Sequence, residues 1–502
     1  MHDNLYTRIA GTVQSDLDKP FLRFLDAPPF SYREGFAAAG RYAHVLVRHG
    51  VKPGDRVAVQ IEKSPAGLIL YLACLRAGAV FLPLNTGYTP AEIAYFVQDA
   101  EPRLFVAAEK NREKIQAALP QLALLTVSDD GRDGSLVMEA ASQPADFPDA
   151  PVTMSDLASI LYTSGTTGRS KGAMLSHGNL HSNAESLKQA WEFSPDDVLL
   201  HALPIFHIHG LFVACNVSLL SGATILLLPK FEPDAVFRAL PQASVMMGVP
   251  TFYTRLLKDE RLGRETTRHM RVFISGSAPL LPETHREWEA RTGHALLERY
   301  GMTETNMNTS NPYRGARIPG SVGLPLPGVK IRIADPDGKV LPQGEIGMIE
   351  VKGPNIFQGY WRMPEKTKAE FRGDGYFITG DMGTIGPDGY LRIVGRGKDL
   401  IITGGLNVYP REIESLLDDL PGVEESAVVG IPHEDFGEGV TAFLVLKAGA
   451  QVSEADVQNA LRDRLARFKL PKRVIVLEQL PRNTMGKVQK SALRQDYAAL
   501  YR

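Results

Sequence analysis

The hydroxyls of Thr163, Ser164, Thr166 and Thr167, three glycines and two cations fall within eleven residues, Tyr162-Thr163-Ser164-Gly165-Thr166-Thr167-Gly168-Arg169-Ser170-Lys171-Gly172. Glycines let the backbone turn its N–H groups toward an anion. The hydroxyls add short donors, and Arg169 and Lys171 add positive charge. Such a loop suits a polyphosphate. It is not the G-x-x-x-x-G-K-[ST] loop, because the spacing differs and no Ser or Thr follows Lys171. The same composition also describes a flexible linker, but the flanks argue against one. Residues 158–162 read as a strand, and Leu180, Ala184, Leu187 and Trp191 recur at helical spacing. A strand, a glycine loop and a helix are the usual setting of a phosphate site.

The elements that must position this loop can be read along the chain. Strand-like runs at 56–60, 80–84 and 104–107 alternate with helix-like segments at 64–77 and 90–99, the second opened by Pro90. That βαβαβ order implies a mostly parallel sheet. Residues 128–156 are rich in Asp, Gly, Ser and Pro and read as a surface connection, after which strand-like runs resume at 223–228 and 272–275. Beyond about Val322, short alternating strands such as 330–333 and 346–351 are separated by Asp, Gly and Pro turns. After Lys398 the chain has its own alternation: a helix at 410–420, strands at 426–431 and 440–446, and a helix at 453–468 opened by Ser453 with Asp456 three residues on. The expected fold is α/β. A large N-terminal domain, residues 1–397, has mixed, mostly parallel sheets and a β-rich subdomain, and a small mobile α+β domain occupies residues 398–502.

The 502 residues exceed what one compact core holds. With 55 basic and 57 acidic residues the net charge is −2, so no nucleic-acid or acidic-membrane partner is expected. Cys74 and Cys215 sit in apolar surroundings and read as buried free thiols of a reducing compartment. The first residues lack a secretory signal's apolar run, and no stretch is apolar enough to span a membrane. A cytoplasmic location is expected.

Further motifs follow the first loop in order. They are Tyr300-Gly301-Met302-Thr303-Glu304; Tyr376-Phe377-Ile378-Thr379-Gly380-Asp381; Gly395-Arg396-Gly397-Lys398-Asp399 with Gly404-Gly405-Leu406-Asn407-Val408-Tyr409-Pro410; and Pro481-Arg482-Asn483-Thr484-Met485-Gly486-Lys487. Together they resemble the signature of the adenylate-forming superfamily of acyl-CoA synthetases, peptide-synthetase adenylation domains and luciferases. The resemblance implies ATP, Mg2+ and coenzyme A as reactants and cofactor. It implies that Thr163, Ser164, Gly165, Thr166, Thr167, Gly168 and Lys171 hold the β- and γ-phosphates, that Glu304 ligates Mg2+, and that Thr303 touches the α-phosphate. Asp381 and Arg396 would meet the ribose. Adenine would lie against Gly276, Ser277, Ala278, Pro279 and Tyr300. Lys487 would stand between the substrate carboxylate and the α-phosphate and stabilise the transition state. Lys398 would be the hinge, Gly404 and Gly405 would leave room for pantetheine, and His207 would lie near the α-phosphate. Taken one at a time, Glu304 and Lys487 also read as solvated charges, Asp381 as a turn residue and His207 as a structural histidine.

The acyl pocket should be lined by His207, Ser277, Arg299, Met302 and Thr305-Asn306-Met307-Asn308. Arg299 departs from the wider family, where synthetases of uncharged acids often carry a small residue before the motif tyrosine. A buried guanidinium without a partner is costly. A second substrate carboxylate would satisfy it with two parallel hydrogen bonds, and the bulk of Arg would exclude long chains. Malonate meets both conditions. The stretch Leu297-Glu298-Arg299-Tyr300-Gly301-Met302-Thr303-Glu304, with His207-Ile208-His209-Gly210 upstream, resembles the malonyl-CoA synthetase family. That implies conversion of malonate, ATP and CoA to malonyl-CoA, AMP and diphosphate through malonyl-AMP, with methylmalonate a secondary substrate. Other readings stay open: Arg299 paired with Glu298, Glu304 or another acidic side chain, another short acid as substrate, an enzyme loading a carrier protein, or a nucleotide-binding sensor without chemistry. Arg286 reads as a helix-surface residue. Lys487, in a flexible loop, is open to a lysine acyltransferase, which would remove its charge.

Overall fold

The computed structural model describes residues 3–163, 170–404, 406–483 and 486–501. Two large sheets form the N-terminal part. In the first, Leu157–Thr163, Val80–Pro83, Arg56–Gln60, Leu104–Ala108 and Ala123–Val127 lie parallel, with Lys171–Ser176 and Gly359–Tyr360 added antiparallel at one edge. In the second, Pro20–Arg23, Thr224–Leu227, Val198–His201, Val245–Gly248, Val272–Ser275 and Leu297–Met302 are parallel, and Asn306–Ser310 turns back antiparallel. Helix Pro65–Ala77 is apolar on all sides and almost wholly buried, as a helix covered all round must be.

Lys330–Ala334, Gly347–Lys352, Phe377–Ile385 and Leu391–Arg396 form an antiparallel sheet. The C-terminal part is a five-stranded sheet with its own core, which includes Ile413, Leu417, Val428, Val440, Leu444, Val457 and Leu461. The fold is thus α/β, with a large N-terminal domain of mostly parallel sheets and a smaller C-terminal domain. Cys74 and Cys215 are buried free thiols. Among the described residues no helix is long and apolar enough to cross a membrane.

Three expectations change. The phosphate-type loop does not lead into a helix: Leu157–Thr163 and Lys171–Ser176 pair antiparallel, with Thr163 opposite Lys171, and helix His177–Ala190 begins only after the second strand. That strand is buried almost throughout, so it lacks the alternation that would have marked it. The surface connection at 128–156 contains helix Ser135–Ala141, whose Leu136 and Ala140 are buried. The helix expected at 453–468 stops at Arg462 and is followed by a short turn at Arg467–Lys469.

One ion pair ties down the strand ends opposite the site. Arg271 donates from Nε and Nη2 to both oxygens of Asp197, at 2.6 and 2.8 Å. The Ser194 N–H and Ser244 hydroxyl donate at 2.9 and 2.7 Å. Burial opposes the Asp197 charge, but Arg271 and these donors hold its pKa below the ordinary value. Removing one partner of such a pair leaves a buried charge, so Arg271→Ala should destabilise the domain by about 3–5 kcal/mol, measured as a lower apparent Tm. A depressed carboxyl contributes stability above its unfolded pKa and loses it as pH falls through the folded one. The Tm gap between wild type and variant should therefore narrow below about pH 4.

Candidate active site

Parallel strands present their C-terminal ends on one side, the usual place for a site in an open α/β sheet. Here those ends carry His201, Gly248, Ser275 and the run Arg299–Met302. Strand Leu297–Met302 returns as Asn306–Ser310 through a tight turn in which Met302 opposes Asn306. The turn lifts Thr303 and Glu304 out of the sheet, and the Glu304 carbonyl accepts from the Phe357 N–H at 2.8 Å.

Glu304 is buried, and its carboxylate accepts from the Tyr360 hydroxyl at 3.0 Å, with the Thr163 hydroxyl at 3.5 Å. Burial raises its pKa. The same Tyr360 hydroxyl lies 2.6 Å from Glu370, so its single proton is shared between the two acids, and Glu370 pairs with Lys171 at 3.2 Å and Lys366 at 2.8 Å. Burial opposes the Glu370 charge, but these partners keep its pKa below the ordinary value. The Lys171 ammonium stands over the Tyr360 ring at 4.1 Å. Tyr360 and Glu370 complete this end of the site, and sequence reasoning missed both. Tyr360 is placed by pairing of Gly359–Tyr360 with Lys171–Ser176. Glu370 follows a charged helical segment that looks like an ordinary solvated face. Ser164, Gly165, Thr166, Thr167, Gly168 and Gly405 lie outside the described residues.

Tyr300, Asp381 and Arg396 form a second group. The Tyr300 hydroxyl donates to Asp381 at 2.5 Å, and Arg396 Nε pairs with the other Asp381 oxygen at 2.6 Å. Asp381 and Arg396 face each other across neighbouring strands, so the register of that hairpin sets the pair. Burial and the Asp381 charge keep the Tyr300 phenol protonated. After strand Val272–Ser275, Ser277 adopts φ +72°, a strained value for a residue with a Cβ. Ser277 and Ala278 are half-buried and Pro279 is exposed.

Arg299 is 4 % exposed, and its Nε and Nη2 have no hydrogen-bond partner. Its guanidinium lies flat against the Gly276 backbone, where a Cβ would come within 2.4 Å of Cζ. Neither proposed acid partner reaches it. Glu298 points to the other face of the strand and meets His285 at 3.5 Å, while Glu304 is held by Tyr360. Burial pushes the guanidinium down to about 9, still charged at neutral pH. Two neutral histidines flank it. His207 is brought to about 3 by burial, then by the charges of Lys487 and Arg299, and its Nδ1 accepts from the His209 N–H at 3.2 Å. His209 is fully buried at the start of the π-helix His209–Cys215, with Nδ1 3.1 Å from the Ser277 hydroxyl and Nε2 unpartnered. Sequence reasoning singled out His207 of the pair, but it is His209 that bonds Ser277. Met302 is half-buried at the end of its strand. The polar atoms of Thr305, Asn306 and Asn308 are engaged with one another and with Asn355, so they brace the turn.

Lys487 is exposed over its side chain as a whole, although the protein packed near its ammonium desolvates that end. That desolvation, then Arg396, brings its ammonium down to about 8, while Asp381 and Glu304 act in the opposite sense. Its neighbour Gly486 approaches Thr251 at the start of helix Pro250–Leu257. Lys398 is exposed in the short turn Gly397–Asp399 between the two domains' sheets. Gly404 is not part of this constellation: it lies exposed beside Phe436 on the C-terminal sheet.

A buried acid beside hydroxyls and a lysine, a linked Tyr–Asp–Arg group and a buried unpaired guanidinium thus come together on one side of the fold. The chain belongs to the AMP-binding enzyme family, whose model matches residues 10–361, with the family's C-terminal domain at 412–487. The crystal structure of ATP-bound MatB from Rhodopseudomonas palustris superposes with a TM-score of 0.98 at 58 % identity, covering 100 % of both chains. A malonate–CoA ligase of Arabidopsis thaliana is 36 % identical over 89 % of this chain and 78 % of its own length. A feruloyl-CoA synthase of an Amycolatopsis species is 37 % identical over 93 % and 94 %.

An unpaired buried cation weakens the ligand-free protein. Arg299→Met keeps the length without the charge and should stabilise that state by about 1–4 kcal/mol, measured as a rise in apparent Tm. A fall would mean that the guanidinium is compensated.

Proposed function

We propose that this chain is a malonate–CoA ligase. The observation that carries the reading is Arg299, a buried guanidinium with unused donors beside two neutral histidines. It holds the distal carboxylate of malonate, while the other carboxylate faces the nucleotide. In the first step a malonate oxygen attacks the α-phosphorus of ATP, the bond to the β-phosphate breaks, and pyrophosphate leaves. In the second, the CoA sulfur attacks the malonyl carbonyl, AMP departs, and the thiol proton is lost.

Thr163, Ser164, Gly165, Thr166, Thr167, Gly168 and Lys171 grip the β- and γ-phosphates, with Lys171 exchanging Glu370 for phosphate oxygens. Thr303 meets the α-phosphate. Tyr300, Asp381 and Arg396 hold the ribose, and Ser277, Ala278 and Pro279 border the adenine. His207, Ser277 and Met302 line the acyl pocket. Lys487 neutralises charge developing at the α-phosphate during adenylation. Glu304 suits Mg2+, being a hard oxygen donor beside a hydroxyl. Since no three His, Cys, Asp or Glu side chains converge among the described residues, phosphate oxygens and water would complete the shell. When bound, Mg2+ neutralises phosphate charge.

We take 1–397 and 398–502 as the two domains, with Lys398 as hinge and Gly404 and Gly405 turned toward pantetheine after rotation. Two buried free thiols favour the cytoplasm. The accessible Lys487 loop suits a lysine acyltransferase as regulator. A bulky aromatic acid such as ferulate would leave Arg299 unpaired.

Malonate and acetate, compared in acid-dependent pyrophosphate exchange, test the reading. A site built around a polar group can reject the analogue lacking it by about 10⁴-fold. Wild type should show a preference of that order, and Arg299→Ala should lose it; equal use of acetate by wild type would sink the assignment. Methylmalonate, differing by one methyl, should fall within about 10–200-fold of malonate.

The reaction also needs Lys487 as an ammonium, and it deprotonates as pH rises through about 8. The exchange kcat/KM, which reports the free enzyme, should therefore fall above about pH 8. In kcat the limb should move higher, because bound ATP favours the charged lysine. Lys487→Ala should lack the limb altogether.

A further inference from the structure

Lys487 lies on the second of two facing stretches, 481–483 and 486–489, that are braced against each other. The Gln489 N–H donates to the Pro481 carbonyl at 2.7 Å. The Asn483 N–H donates to the Lys487 carbonyl at 2.9 Å, and the Lys487 N–H donates to Asn483 Oδ1 at 3.0 Å. Gly486 turns the chain with φ +74°, a value that favours glycine. Arg482 reaches across the loop, and its Nη1 donates to the Gly486 carbonyl at 2.6 Å. That carbonyl belongs to the peptide plane leading into Lys487. The other terminal nitrogen of Arg482 pairs with Glu425.

Glu425 lies on strand Val423–His433, across from Val445 in the C-terminal sheet, so it is a fixed point. Its neighbour Glu424 pairs with Lys258 of the N-terminal domain at 2.8 Å. Lys258 ends the helix whose first turn, at Thr251, meets Gly486. Two consecutive residues of one strand thus face two tasks: one reaches the opposing domain and the other anchors the loop that carries Lys487.

We propose that Arg482, anchored by Glu425, is a positioning residue that orients Lys487 for the adenylation step. A lysine side chain has many rotamers, and an unbraced loop would spread its ammonium over several positions. The guanidinium fork can hold a carbonyl and a carboxylate at once; a lysine at 482 presents only a point charge and cannot hold both in the same geometry. The inference rests on the reading of Lys487 given above.

The test separates the two half-reactions in the full-length protein. Arg482→Ala should lower kcat for malonate-dependent pyrophosphate exchange by roughly tenfold or more, the scale of losing hydrogen bonds to a charged group. KM for ATP should stay near wild type. Transfer of the malonyl group from supplied malonyl-AMP to CoA should keep its wild-type rate, because Lys487 serves only the first step. Arg482→Lys, which preserves the charge and the fold, should give an intermediate loss, and Glu425→Ala a loss in the same direction. Adding Arg482→Ala to Lys487→Ala should cause no further decrease, since the arginine acts through the lysine. Equal loss in both half-reactions, or additive losses in the double variant, would overturn the proposal and point to general damage. Unchanged exchange in Arg482→Ala would overturn it as well. Absence of malonate-dependent exchange in wild type would instead reject the malonate reading itself.

Discussion

A positive charge is held out of water at Arg299, and the architecture around it follows from that demand. Arg299 is sealed between the second sheet and the Gly276 backbone with donors unused. Removing a guanidinium from water is expensive, so the surroundings must be rigid enough to prevent it from swinging back out. Neighbouring strands, one parallel and one antiparallel, supply the rigidity. Gly276 lets the side chain lie flat, and the neutral states of His207 and His209 avoid adding like charge beside it. Strain at Ser277 belongs to the same corner. A pocket of this kind is a poor contributor to stability and a good discriminator of ligands.

The site is distributed over every layer of the fold. Arg299, Tyr300 and Glu304 come from the second sheet and its return turn, Lys171 and Tyr360 from the edge of the first, Asp381 and Arg396 from the antiparallel sheet, and Lys487 from the C-terminal domain. The attachment of the last piece differs from the rest. Lys258–Glu424 and Lys447–Glu283 bridge the domains through largely exposed side chains. Exposed pairs of this kind contribute on the order of 0–1 kcal/mol each.

Much of this was legible along the chain. The early βαβαβ order, the change of texture near Val322 and the separate alternation after Lys398 each reflect local periodicity. Periodicity survives in sequence because it records which face of each element is buried. The motif residues could be picked out because nucleotide chemistry needs glycine, hydroxyl, carboxylate and ammonium groups in set order. Arg299 stood out because a cation is expensive to bury. Less legible were elements whose burial is complete or whose role is set by a distant partner. Strand Lys171–Ser176 has no alternation because both of its faces are covered. Tyr360 and Glu370 gain their importance from Glu304 and from Lys171, the latter almost two hundred positions earlier.

The sequence by itself therefore determined the kind of chemistry, the order of the elements and the charged groups on offer. Tertiary structure alone decided how those groups are paired. Asp381 is bound to Tyr300 and Arg396, Lys171 to Glu370, Glu298 to His285, and Arg299 to no acid among the described residues. The reason is physical: pairing energies depend on separation and on the dielectric around each pair. Both are set by how sheets and loops pack, not by distance along the chain.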